Sequence, residues 1–188
     1  MRKVLIAALC VLFCGMYAVA QDYPKAEFFA GYSFLHVDCG SGCTVASWPA
    51  GFDLDGTYYF SRILGVTADF DYHKKSLGTV PADVIFPGSP AGNVDGRAFG
   101  LHFGPRVKAR IGKVEPFGQA LFGFTDLGAS LLGVSTSDKA FSMKLGGGLD
   151  VSAARHFAVR LGEFNYYYTK FGGTHQNNFT YSAGIVIR

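Results

Sequence analysis

The last eleven residues, Asn178-Phe-Thr-Tyr-Ser-Ala-Gly-Ile-Val-Ile-Arg188, restrict the fold more than any other part of the chain. Side chains along a strand alternate between two faces. Phe179, Tyr181, Ala183, Ile185 and Ile187 therefore share one face, and Asn178, Thr180, Ser182, Gly184 and Val186 share the other. An aromatic and branched-aliphatic face backs a small, polar one. The length suits a tilted strand that crosses a bilayer, about 9–11 residues, whereas strands of soluble sandwiches run about 5–6. Such a strand is made for hydrocarbon on one side and a lumen on the other.

The same period of two marks seven earlier segments, separated by turn residues. They are Lys25–His36, Ala50–Ser61, Leu64–Lys74, Gly96–Lys108, Val114–Phe124, Phe141–Val151 and Phe157–Thr169. In the fifth, Glu115, Phe117, Gln119, Leu121 and Gly123 are placed inward, because Gln119 in lipid would be costly. The seventh breaks parity between Arg160 and Glu163, so an extra residue must sit between them, and Gly162 suits a bulge. The connections alternate in length. Ser61–Ile63, Ala109–Lys113 and Ser152–His156 are short, and Val37–Pro49, Lys75–Asp95, Thr125–Ala140 and Lys170–Asn177 are longer. Pro81, Pro87 and Pro90 argue against a regular ladder in the longest one. An even strand count, short turns at one end and longer loops at the other predict an all-β fold. It is an eight-stranded antiparallel up-and-down transmembrane β-barrel.

The amino terminus explains how the chain reaches a membrane outside the cytoplasm. Met1-Arg2-Lys3 is basic, Val4–Cys14 is apolar, and Ala18-Val19-Ala20 supplies the small residues of a cleavage site. Residues 1–20 read as a cleaved signal peptide and 21–188 as the barrel domain. An amino-terminal anchor is the alternative, but the apolar run is short for a spanning helix. Phe13 before Cys14 argues against a lipoprotein. Cleavage removes two bases and no acid from a chain with 17 Lys+Arg and 14 Asp+Glu. The near-neutral remainder gives nucleic-acid binding no electrostatic support. Cys39 and Cys43, in Cys-Gly-Ser-Gly-Cys, read as a disulfide in an exported chain. A metal site there has only Asp38 to support it, and no cofactor is implied.

Eight strands enclose an interior just wide enough for side chains to fill. Its expected filling is charged: Glu27, Asp53, Asp55, Asp69, Asp71, Glu115, Asp150 and Glu163 with Arg106, Lys108, Lys144 and Arg160. Buried charges must pair, neutralise or be hydrated. The set reads as a salt-bridged plug, or alternatively as a narrow, cation-attracting water path. Lipid-modifying catalysis would need a His with an outward-facing Ser or Asp near the outer leaflet. His36, His73 and His175 are placed near the outer rim and His102 in the lumen, with no outward Ser beside them. The expectation is therefore no enzyme. Tyr166-Tyr167-Tyr168 with Phe171 reads as an interfacial aromatic girdle.

Glu27-Phe-Phe-Ala-Gly-Tyr-Ser-Phe34, Val114-Glu-Pro-Phe-Gly-Gln119 and Ala158-Val-Arg-Leu-Gly-Glu-Phe-Asn-Tyr166, in that order, resemble the small OmpA/OmpX-like outer-membrane β-barrel proteins, also labelled opacity-like or porin-like. The resemblance spans about Ala26 to Arg188. It implies a monomer in the outer membrane of a Gram-negative-type bacterium, in contact with outer-membrane lipid. It also implies assembly by periplasmic chaperones and the barrel assembly machinery, whose signal would be Ser182, Gly184, Ile185 and Ile187, with a terminal aromatic one residue beyond Arg188. The function it implies is structural or surface interaction, through envelope integrity or adhesion, with an extracellular ligand at the outer loops. The alternatives are a narrow porin-like channel and a soluble periplasmic lipocalin-like barrel with its apolar face inward.

Overall fold

The computed structural model describes residues 23–37, 47–81, 91–131, 134–171 and 174–188. Residues 1–20, expected to be a signal peptide, and Cys39 and Cys43 lie outside the described residues. The strands are β1 (Ala26–His36), β2 (Ser47–Trp48), β3 (Ala50–Tyr59), β4 (Leu64–Val80), β5 (Gly92–Lys108), β6 (Val114–Leu131), β7 (Val134–Ala154), β8 (Phe157–Phe171) and β9 (Thr174–Ile187). β1 pairs antiparallel with both β2 and β3, each strand from β3 to β8 pairs antiparallel with the next, and β1 pairs with β9 from Phe28↔Ile187 to His36↔Phe179. The ring is closed, an eight-stranded antiparallel barrel. β2 and β3 are two pieces of one stave. Pro49 has no N–H for the ladder, and β1 changes register around it, from Tyr32↔Phe52 to Leu35↔Trp48.

Alternation sorts the side chains inside and out. On β3, Ala50, Phe52, Leu54 and Tyr58 face outward while Asp53, Asp55, Thr57 and Tyr59 are buried. Phe28, Phe103, Phe122, Leu145, Phe164, Phe179 and Ile185 continue the apolar exterior around the ring. A lipocalin-like barrel, apolar within, is therefore excluded. On β8 the register shifts between Arg160 and Glu163, and both side chains point into the lumen. The expected bulge is present at Leu161-Gly162: against β7 Gly162 keeps Leu149 as its partner and Leu161 is the residue passed over.

The strands outrun their hydrophobic pattern at one end. The expected loop Thr125–Ala140 is a ladder continuing to Leu131↔Val134, and Lys170–Asn177 is one continuing to Phe171↔Thr174. β4 and β5 likewise pair as far as Val80↔Gly92, across a bulge at Ser76/Gly78 where Gly78 takes φ 137°. Here Ser76–Thr79 and Ser135–Lys139 are exposed on both faces. Backbone pairing persists where the lipid-facing pattern stops, so periodicity reports only the apolar part of each strand. The opposite end carries the short connections, with Gly112 at φ 64° in one of them.

Leu54 is the middle of five outward positions on β3 and is 43% exposed. Leu54→Arg is expected to destabilise the barrel refolded in phospholipid vesicles by about 2–4 kcal/mol, the cost of a guanidinium near the bilayer midplane. Urea titration checks it.

Candidate functional site: the charged lumen

Inward positions from all eight staves converge on a sealed interior. The twelve charged residues expected there, Glu27, Asp53, Asp55, Asp69, Asp71, Arg106, Lys108, Glu115, Lys144, Asp150, Arg160 and Glu163, are all buried. They are brought together in layers. At the short-turn end, Lys108 Nζ donates to Glu27 and, at 2.7 Å, to Asp150 Oδ2, and it lies 3.7 Å from Glu115. Two further bases close this layer: Arg110 and Arg188 pair with Glu27 at 3.4 and 3.3 Å, and Arg188 also donates to Glu115.

The middle layer is held by two guanidinium groups. Arg106 donates bidentately to Asp55, both bonds at 2.9 Å, the planar fork-to-carboxylate geometry that favours arginine. Its other donors reach Thr57 Oγ1 at 3.0 Å and Gln119 Oε1 at 2.8 Å. Arg160 donates to Asp55 and Glu163, each at 2.6 Å, and to Asp150 at 2.9 Å. Gln119 and Asn165 donate to the other oxygen of Glu163 at 2.7 and 2.8 Å. Aromatic faces pack against the charge. The Arg160 guanidinium carbon lies 4.1 Å from the centre of the Phe29 ring and 4.4 Å from that of Phe117.

Toward the hairpin end, Asp53↔Asp71 and Asp55↔Asp69 stand directly opposite across β3 and β4. Like charges in that position destabilise a sheet unless a base comes between. Lys144 Nζ supplies one, 2.6 Å from both Asp69 and Asp71. Among the described residues, Asp53 accepts only from Ser182 Oγ, at 2.7 Å. Above this layer Leu35, Trp48, Ala98 and Tyr167 form an apolar cluster across the lumen. His73 is fully buried, not on the rim, because its parity on β4 is that of Asp69 and Asp71. Tyr167 is likewise inside, so of the tyrosine run only Tyr166 and Tyr168 face outward. His36 and His175 are exposed near the hairpin end.

Two Ser–His–Asp arrangements were not anticipated. His102 Nε2 lies 2.8 Å from Ser142 Oγ, with Nδ1 3.3 Å from Asp69. His73 Nε2 lies 3.0 Å from Ser33 Oγ, with Nδ1 3.5 Å from Asp71. Parity could have found both, since all six residues occupy inward positions. The distances resemble a nucleophile–base–orienter relay. Ser142, His102 and His73 are fully enclosed, however, and His102 packs edge-on against Tyr167. In this arrangement the hydroxyls satisfy imidazole nitrogens that would otherwise be buried without partners.

The four residues proposed as an assembly signal do not form a cluster. Ser182 is in the lumen, and Ile185 and Ile187 are on the outer surface. Gly184 lies where a Cβ would come within 2.3 Å of the Ala30 carbonyl oxygen, at the seam that closes the ring.

Removing one partner from a buried ion-pair network leaves the others uncompensated. Arg160→Met should therefore lower the unfolding free energy by about 3–5 kcal/mol. Lys74→Met, at the exposed pair with Asp95, should change it by about 0–1 kcal/mol. Urea midpoints of the two variants make the comparison.

The outer membrane protein beta-barrel domain model matches residues 6–186. Ail, the attachment invasion locus protein of Yersinia pestis, is similar in fold at 20% identity, with a TM-score of 0.54 over 86% of this chain and 97% of that one. A second Ail structure, in complex with the heparin analogue sucrose octasulfate, gives 20% identity and a TM-score of 0.52 over 86% and 96%. Neisserial surface protein A gives 14% identity and a TM-score of 0.61 over 86% and 94%. No curated protein matches the chain in sequence. With a closed barrel, an apolar exterior and a family match over nearly its whole length, the chain belongs to the outer membrane protein β-barrel domain family.

Proposed function

We propose that this protein is a non-catalytic surface barrel of the Gram-negative outer membrane whose projecting hairpins meet an extracellular ligand or support envelope integrity. One observation carries the reading: the lumen is filled by side chains, most of its charged groups in ion pairs, and among the described residues the β4–β5, β6–β7 and β8–β9 hairpins extend beyond the apolar exterior. An interior of this kind is a strut. Catalysis has no support from the Ser–His–Asp sets, whose hydroxyls are enclosed. Ail, similar in fold, bears attachment in its name and binds a sulfated heparin analogue, which supports a role at the hairpin end. Export through residues 1–20, a Cys39–Cys43 disulfide and assembly through the closing strand by chaperones and the barrel assembly machinery complete the reading.

Electrophoresis of outer-membrane protein should show an unboiled band that shifts on boiling. In planar bilayers the purified barrel should give no resolved conductance steps. Steady steps would replace this reading with the narrow-channel one. In a strain lacking the protein, the full chain should restore detergent resistance or surface binding, and a barrel with the β6–β7 and β8–β9 hairpins trimmed should not. Equal rescue by the trimmed barrel would place the role in the membrane-embedded part.

A further inference from the structure

Charge is balanced in one part of the lumen and not in the other. Among the described residues, Glu27, Asp55, Glu115, Asp150 and Glu163 meet an equal number of bases, Arg106, Lys108, Arg110, Arg160 and Arg188. Toward the hairpin end, Asp53, Asp69 and Asp71 have only Lys144. With all three ionised, that layer carries two negative charges more than Lys144 neutralises, inside a region closed to solvent. An interior of low dielectric sheds such an excess by protonation or by holding a counter-charge.

Two imidazoles border the layer: His73 and His102 each meet a serine hydroxyl through Nε2, and their Nδ1 atoms lie 3.5 Å from Asp71 and 3.3 Å from Asp69. Three carboxylate oxygens accept no hydrogen bond, Asp53 Oδ1, Asp69 Oδ2 and Asp71 Oδ1, each on a side chain 1% exposed; Asp71 Oδ1 has Lys144 Nζ at 2.6 Å, and the other two have no base against them among the described residues. One oxygen from each of Asp53, Asp69 and Glu163 lies within 4.8 Å of the other two. Two oxygens bound to one calcium ion at about 2.3–2.6 Å can stand that far apart. Asp69, Asp71 and His102 are similarly close, but Lys144 Nζ already sits between the two carboxylates there.

We propose that the lumen binds a divalent, oxygen-ligated cation of the calcium class through Asp53, Asp69 and Glu163. A divalent ion matches the two charges by which three ionised aspartates exceed Lys144. The ligands are all carboxylate, from three staves β3, β4 and β8, which suits calcium's adaptable coordination better than the near-ideal octahedron magnesium requires. The ion crosslinks these staves through the lumen. With side chains above and below, it enters as the barrel closes and exchanges slowly afterwards.

The test uses the full chain purified in detergent from outer membranes. Elemental analysis after prolonged EDTA dialysis should find near-stoichiometric calcium in the wild type. Protein unfolded in urea with EDTA and refolded without metal should have a lower urea midpoint than protein refolded with CaCl2, and MgCl2 should restore less. Asp53→Asn and Glu163→Gln should lose both the bound metal and the CaCl2 dependence while keeping the gel shift of a folded barrel. Glu115→Gln, at the short-turn end, should keep both. A metal-free wild type with a midpoint indifferent to CaCl2 overturns the proposal even if every variant fails to fold. Calcium retained by Asp53→Asn overturns it equally, since the ion would then sit elsewhere.

Discussion

Arg160 and Arg106, locked onto Asp55 from two sides, are the interaction on which the rest of this barrel depends. A ring of eight strands leaves a narrow interior that must be filled, and its inner face cannot be apolar without giving up the contrast that orients the strands in lipid. Charged fillers meet that need only if every one finds a partner. Planar guanidinium groups do so economically, each serving two or three acceptors while packing a flat face on Phe29 or Phe117. The pairs join positions distant in sequence, such as Asp55 with Arg160. Register, bulge and closure all have to be right before the network can form.

The bulge on β8 shows this dependence in miniature. In a regular strand without the bulge, Arg160 and Glu163, three residues apart, would fall on opposite faces and one of them would meet hydrocarbon. With it, Arg160 donates to Glu163 and Asp150 together. Pro49 acts similarly on the second stave, where the register change brings Trp48 into the lumen cap beside Leu35. Local irregularity here serves the interior and leaves the exterior band continuous.

Much of the architecture was legible in residues 178–188 and their seven counterparts, because parity in a closed barrel is a two-valued code. The parity break between Arg160 and Glu163 was enough to locate a bulge. Strand length was not legible: beyond Lys74 or Phe124 the chain leaves the apolar zone, both faces meet water, and hydrophobicity no longer marks a strand that hydrogen bonding still maintains. Parity gives the face and not the depth: His73 shares the inward face of Asp69 and Asp71, but its distance from the rim is not in the pattern, and three consecutive tyrosines hide that Tyr167 alone points inward. Which acid meets which base follows from stagger between non-adjacent strands, and a single sequence carries no direct record of that.

The seam between β1 and β9 has a kinetic meaning. Residues 28 and 187 are partners, so the first strand described finds its second neighbour only after the last has been made. Until that moment two edges stand open, each a row of unpaired amides inviting the wrong chain, and the apolar flank is exposed to water. High contact order of this sort makes folding slow and aggregation a competitor. The barrel is thus a structure with no comfortable halfway stage: its maturation is decided by how long the open ribbon can be kept from other ribbons.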